Sequence, residues 1–214
     1  GEALGDGPAS AESDGRLDPG RGPAGMCLFH QRGQSRHAGS GHAGSRQPEK
    51  AGGLEIGTGT NAALIADGTP EKPITFTTVT AANGQAGSWY GISFGTNNVI
   101  ATTVLNNCII EGAGKNADPV IEVYNTKIAM DSCTLRNGAG VGIRLMGSTA
   151  GFTSFTHNNL SNCFDYLLSG EVQPLLGLDT TNVFTSVVNK TIAIEGGNVN
   201  TTGTLKRLSV PYTV

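Results

Sequence analysis

The chain has 214 residues, a net charge of −3 and only 14% charged residues. This length suits one domain with a sizeable core, and the weak negative charge gives no electrostatic reason to expect nucleic acid or an anionic membrane surface as a partner. Low charge, 32 glycines and no apolar run of about 18 residues indicate a β-rich, turn-rich secreted protein and predict no insertion into a membrane.

Residues 1–51 differ sharply in composition from the rest of the chain. The first 50 contain no Val, Ile, Thr, Asn, Tyr or Trp, and they hold three of the four His and five of the eight Arg. Such a segment buries too little apolar surface to offset the entropy cost of ordering, so we predict a disordered segment. Two origins stay open: an ordinary linker or tail, and a mistranslated start, since a GC-rich gene read in a shifted frame encodes this composition.

Short strands separated by turn signals begin at Leu54. Alternating or continuous apolar residues predict strands at 54–56, 62–66, 73–79 and 89–94. The segments between them are rich in Gly, Asn and Asp, which favour turns. No helical periodicity interrupts the series, so this half of the chain is typical of an all-β fold.

Residues 25 positions apart then share their character through the middle of the chain. A fixed period of this length is typical of stacked solenoid coils, here with three short strands in each coil. Crossover helices are absent, which excludes a βαβ sheet. We predict an all-β, right-handed parallel β-helix, and its matched columns are Leu105, Met130 and Phe155; Ile110, Leu135 and Leu160; Cys108, Cys133 and Asn158; and Asn137 and Asn162.

Two of these columns are polar or sulfur-containing and carry specific expectations. Asn137 over Asn162 predicts an amide ladder at a tight turn with left-handed backbone geometry. Cys108 over Cys133 favours a stack of small buried side chains. A disulfide is the alternative, because a coil spacing of about 4.8 Å lies near the range that a disulfide spans.

Four segments carry a resemblance to a known family. In order and spacing they resemble the opening of a right-handed parallel β-helix module of large secreted and surface proteins of bacteria, within the pectin-lyase-like superfold. The resemblance covers residues 52–168, and the four segments are LIADGT (Leu64 to Thr69), PITFT (Pro73 to Thr77), WYGI (Trp89 to Ile92) and NCIIE (Asn107 to Glu111).

The resemblance implies an extracellular or cell-surface location and a structural or adhesive role, with polysaccharide as a partner. A polysaccharide lyase or glycoside hydrolase is the alternative function. Residues 205–214 (LKRLSVPYTV) resemble the segment with which the next module of such proteins begins. We therefore expect a β-helix over residues 52–210 that is a fragment of a longer repeat protein, whose other modules are its neighbours.

Enzymes of this superfold need paired acids or a Ca²⁺ site with a basic residue. Asp131 shares a column with Asn106, and Arg136 follows nearby, so Asp131 and Arg136 are candidates for the remnant of a lyase site. Arg136 also lies one period from Glu111, which predicts a surface ion pair of little energetic weight. His157 falls in a turn column and is expected at the surface. The sequence predicts no catalytic residue beyond this remnant, no metal site and no cofactor.

Three aromatic residues are candidates for carbohydrate binding. Trp89, Tyr90 and Tyr124 could each stack on the apolar face of a sugar ring. For Trp89 the alternative is a structural one, in which the indole caps the core at the edge of a coil.

Overall fold

The computed structural model describes residues 52–57, 61–78, 84–95, 102–185 and 190–214, together with the backbone of residues 26–29. These residues form an all-β parallel solenoid, which confirms the predicted fold class. The strands are β1 (Met26–Phe29), β2 (Gly53–Ile56), β3 (Ile65–Asp67), β4 (Ile74–Thr78), β5 (Gly91–Phe94), β6 (Val104–Asn106), β7 (Cys108–Glu111), β8 (Ile121–Tyr124), β9 (Lys127–Asp131), β10 (Thr134–Gly138), β11 (Ile143–Met146), β12 (Gly151–Thr156), β13 (Asn159–Cys163), β14 (Leu168–Gly170), β15 (Val183–Thr185), β16 (Ile192–Ile194) and β17 (Tyr212–Thr213).

Three parallel sheets form the walls of the solenoid. Sheet A has the order β1-β4-β7-β10-β13-β15, sheet B has the order β17-β16-β14-β11-β8-β5-β2, and sheet C has the order β12-β9-β6-β3. Each coil passes through sheets C, A and B in turn, and four complete coils begin at β3, β6, β9 and β12. Strands of successive coils therefore lie directly above one another, which is why the repeat is visible in the sequence.

The apolar columns of the 25-residue repeat are confirmed as the core. In sheet C the strand register places each member of the first column on the next, and sheet A does the same for the second column. All six side chains are at most 5% exposed: Leu105, Met130, Phe155, Ile110, Leu135 and Leu160. Their stacking fills the narrow space between the three sheets.

The tight turns use left-handed backbone at equivalent positions. Asn137 and Asn162 have φ of 57° and 52°, as the sequence predicts, and the hydrogen-bonded amide ladder between them stays a prediction. A second turn column has the same geometry at Asn107, Ser132 and His157, with φ between 48° and 56°. Asn adopts this conformation more readily than most residues because its short polar side chain bonds locally. His157 is exposed, as expected.

The cysteine column continues into two buried asparagines. Cys108 and Cys133 are buried and neither is in a disulfide, so the predicted stack is present and the alternative disulfide is not formed in this structure. Their backbone amides are satisfied by side chains of the following coil. Cys108 N–H donates to Cys133 Sγ (3.4 Å), Cys133 N–H donates to Asn158 Oδ1 (2.9 Å), and Asn158 N–H donates to Asn182 Oδ1 (3.0 Å).

Each member of this Cys–Asn ladder (Cys108, Cys133, Asn158 and Asn182) also donates to a backbone carbonyl of the preceding coil. The acceptors and distances are Ala66 O (3.3 Å), Leu105 O (3.4 Å), Met130 O (2.7 Å) and Phe155 O (2.8 Å), in the same order. The thiol and the carboxamide therefore have the same role in this column, since each can both donate and accept a hydrogen bond. The ladder is a polar column inside the core, and it joins sheet C to sheet A from the coil of β6 onward.

A helical turn takes the place of a strand after the fourth coil. Helix α1 (Val172–Leu175) contacts β12 at the end of sheet C, and Leu175 and Leu178 are buried there. Residues 195–204 lie alongside, where Gly177 N–H donates to Thr204 O (2.9 Å). This end of sheet C is therefore covered by chain rather than left as an open edge.

Strands β1 and β17 lie at the two ends of the described solenoid. The predicted disordered segment, residues 1–51, lies outside the described residues except for β1, which sequence reasoning missed and which pairs with β4 at the edge of sheet A. At the other end, the segment expected to begin a new module forms β17, which pairs with β16 and so extends sheet B of the same solenoid.

Candidate functional site

A shallow groove opens beside Tyr90 on the outer face of sheet B. We call it the Tyr90 groove, and its lining includes Glu55, Tyr90, Ser93, Pro119 and Glu122. It combines one aromatic ring with hydroxyl and carboxylate groups, which are the groups that bind small polar molecules in a fixed orientation.

The strand register produces the polar row of this groove. Glu55, Ser93 and Glu122 pair in register on β2, β5 and β8. The neighbouring positions are buried on β5 and β8, and on β2 Ile56 is buried and Leu54 is half-buried against the core, so alternation turns the three polar side chains outward. Ser93 Oγ donates to Glu122 Oε2 (3.3 Å). Because adjacent strands are about 4.8 Å apart, the two glutamates lie about 10 Å apart with the serine between them.

Tyr90 is held from one side by the loop that follows β7. Asn116 Nδ2 donates to the Tyr90 hydroxyl (3.1 Å), and Lys115 Nζ lies 5.4 Å from the centre of the Tyr90 ring, within cation–π range. The loop contains a 3₁₀ turn, Lys115–Ala117, in which Asn116 and Ala117 have φ of 61° and 64°. Alanine in this region carries backbone strain, and strain of this kind persists where surrounding contacts fix the chain.

Trp89 is removed from the set of predicted carbohydrate-binding residues. Its side chain is only 2% exposed, and its indole Nε1–H donates to the backbone carbonyl of Glu111 (2.9 Å). No ring face is open to a ligand, so the indole has the structural role that the sequence offered as the alternative. By anchoring the chain to β7, Trp89 fixes the position of the adjacent Tyr90.

Tyr124 lies on sheet B but outside the Tyr90 groove. It is the last residue of β8, is 37% exposed and pairs with Met146 on β11. Tyr90 precedes β5 at the opposite end of the strands. With a rise of about 3.3 Å per residue, Tyr124 lies about 16 Å along the strand direction from the position of Pro119 in the groove. A ligand that contacts both tyrosines must therefore be an extended one.

Asp131 and Arg136, the predicted remnant of a lyase site, are engaged by different partners. Asp131 is next to Asn106 in register, as expected, and its Oδ1 accepts hydrogen bonds from Ser154 Oγ (2.8 Å) and from Thr156 N and Oγ1 (2.8 and 2.7 Å). Arg136 lies on sheet A and pairs with Glu111. The structure therefore gives both residues structural contacts and does not join them in one site.

The ion pair between Glu111 and Arg136 is present, but it is not a surface pair. Arg136 Nη2 lies 2.7 Å from Glu111 Oε2, and the Glu111 side chain is only 9% exposed against 46% for Arg136. The segment at Gly84 covers the carboxylate, because a Cβ on that glycine would lie 3.2 Å from Glu111 Oε2. A buried carboxylate depends on its partner far more than an exposed one does.

We predict that Arg136→Ala lowers the free energy of unfolding by about 2–3 kcal/mol, because it leaves the Glu111 carboxylate buried without its cation. The matched control is Arg144→Ala. Arg144 lies 3.4 Å from Glu195, and both side chains are more than a third exposed, so the expected change is below about 0.5 kcal/mol. Urea unfolding of both variants measures the loss in free energy of unfolding. Equal losses would show that the buried Glu111 carboxylate does not need Arg136 as its counter-ion.

The described part of the chain lacks two structural features. Within it, no cluster of three or more His, Cys, Asp or Glu is placed to hold a metal ion. None of the helices described there is long and apolar enough to cross a membrane.

Comparison of the chain with protein-family models, with curated proteins and with solved structures gives no match.

Proposed function

We propose that this protein is a structural or adhesive β-solenoid that acts at the cell surface or outside the cell and binds polysaccharide at the Tyr90 groove. The observation that carries the proposal is a partly exposed tyrosine ring, fixed by its neighbours, beside a row of hydroxyl and carboxylate groups. Sugars present an apolar ring face for stacking and hydroxyls for hydrogen bonding, so this combination suits them. The sequence resemblance to bacterial secreted proteins of the pectin-lyase-like superfold supports the same location and ligand class.

In the described part of the chain, catalysis has less structural support than binding. Every coil is fixed to its neighbours by parallel strand pairing, and the groove lies on the flat outer face of a sheet. The two residues that the sequence offered for lyase chemistry, Asp131 and Arg136, have structural partners instead. The lyase or hydrolase alternative therefore has less support than binding at the Tyr90 groove.

We expect Tyr90→Ala to weaken polysaccharide binding by about two- to tenfold, since an aromatic contact contributes about 0.5–1.5 kcal/mol beyond its burial. Tyr90→Phe keeps the ring and loses only the hydroxyl that Asn116 contacts, so it should retain most of the affinity. The measurement is a binding screen on a broad panel of neutral, acidic and amino-sugar polymers, followed by titration with the best ligand.

The same panel separates the two functions. Release of unsaturated or reducing ends, lost on substitution of Asp131 or Arg136, would support an enzyme and contradict the proposal. If the Tyr90→Ala variant binds polysaccharide as tightly as the unaltered protein, the binding site lies outside the Tyr90 groove. If Tyr124→Ala also weakens binding to long polymers but not to short oligosaccharides, the bound chain spans both tyrosines.

A further inference from the structure

Cys108 and Cys133 occupy equivalent positions on adjacent coils, at the corner where sheet C meets sheet A. Cys108 N–H donates to Cys133 Sγ (3.4 Å), so the second sulfur lies against the backbone of the first cysteine. Adjacent coils are about 4.8 Å apart, and disulfides join residues whose Cα atoms are about 4.4–6.8 Å apart. We propose that Cys108 and Cys133 form a redox pair, which a small disulfide such as oxidised glutathione converts into a covalent link between two coils.

The two thiols differ in reactivity, which gives the reaction an order. The Cys108 thiol is the main cause that lowers the pKa of Cys133, because it stabilises the Cys133 thiolate when it turns from Ala66 O to donate to that sulfur, and this outweighs the effect of burial. The Cys133 thiol loses its proton and attacks one sulfur of oxidised glutathione, which forms a mixed disulfide and releases one glutathione thiolate. Cys108 then loses its proton and attacks Cys133 Sγ, which releases the second glutathione. Two protein thiols are oxidised and one glutathione disulfide is reduced to two thiols.

Cys163 is an internal control within the same core. Burial raises the pKa of its thiol to about 11, so little thiolate is present at neutral pH. Its register partner on the preceding coil is Gly138. Cys163 therefore has neither the reactivity nor, on that coil, the neighbour that a disulfide requires.

Burial of the pair controls how fast the link forms. Both side chains are 1% exposed, so the oxidant reaches them only when the coils open locally. Oxidation also removes the two thiol protons that are donated to the carbonyls of Ala66 and Leu105. The link exchanges these weak hydrogen bonds for a covalent bond that closes the loop between the two coils.

The test treats the whole folded protein with oxidised glutathione, blocks remaining thiols with an alkylating agent and maps tryptic peptides by mass spectrometry. Cleavage at Lys115 and Lys127 separates the two cysteines, so a link appears as two joined peptides that are 2 Da lighter than their sum. We expect this species to accumulate over hours while Cys163 remains alkylatable. Cys163→Ser should leave the link intact, and Cys133→Ser should abolish it.

Two results would overturn the proposal. One is glutathione retained on Cys133 without transfer to Cys108, which would show that the sulfurs cannot meet. The other is equal modification of Cys108, Cys133 and Cys163, which would show only unfolding. Because the mapping is made on the unaltered chain, it decides the question even if a serine variant fails to fold. A second experiment refolds the reduced chain in a buffer that contains oxidised glutathione. In that experiment burial does not limit the access of the oxidant to the two thiols.

Discussion

Asn158→Ala is expected to lower the free energy of unfolding by about 3–5 kcal/mol. The Asn158 side chain is fully buried, accepts a hydrogen bond from Cys133 N–H (2.9 Å) and donates to Met130 O (2.7 Å) and Asn182 Oδ1 (3.0 Å). Alanine removes all three and leaves a buried donor and a buried carbonyl without partners, each costing about 1–3 kcal/mol. Urea unfolding followed by circular dichroism measures the loss.

Two further variants distinguish loss of the Cys–Asn ladder from a general effect of substitution. Asn159→Ala changes the adjacent exposed residue and should shift stability by less than about 0.5 kcal/mol. Asn158→Cys should recover part of the loss, because Cys133 already makes the equivalent pair of contacts one coil earlier. If cysteine is as damaging as alanine at position 158, thiol and carboxamide are not equivalent in this column.

The period in the sequence predicts the fold because the structure itself repeats. Leu105, Met130 and Phe155 occupy the same position of sheet C in three successive coils. The same need for a buried apolar side chain therefore appears three times in the sequence. The sequence predicts only part of the Cys–Asn ladder. Its cysteines indicate small buried side chains, whereas the asparagine in the same column indicates a position that must donate and accept hydrogen bonds.

The Tyr90 groove could not be predicted in the same way, because its members do not follow the repeat. Glu55 and Ser93 are 38 positions apart and Ser93 and Glu122 are 29 apart, yet they pair in register on adjacent strands. The intervening loops differ in length, so no fixed spacing in the sequence shows that these residues are neighbours. Only its residue type makes Tyr90 a candidate in the sequence, and its contacts with Lys115 and Asn116 depend on an irregular turn that sequence patterns do not specify.

The floor of the groove depends on a close approach that only glycine permits, and Gly91→Ala is expected to cost about 3 kcal/mol or more. Gly91 has φ of +112°, and a Cβ there would lie 2.3 Å from Val120 O and 2.9 Å from Pro119 O. The Val120 carbonyl is also the acceptor for Ile92 N–H (3.0 Å). The added methyl group must therefore push apart the first hydrogen bond between β5 and β8 as well as strain its own backbone.

Gly177→Ala separates these two effects. Gly177 also has a left-handed φ, +80°, but a Cβ there meets nothing within 4 Å. Its replacement should cost only the backbone preference, about 1 kcal/mol. Thermal and urea unfolding of both variants give the comparison, and polysaccharide binding by any folded Gly91→Ala protein reports on the groove. A Gly91 variant as stable as the Gly177 variant would mean that β5 and β8 can move apart there, and the groove would then be a flexible surface rather than a preformed site.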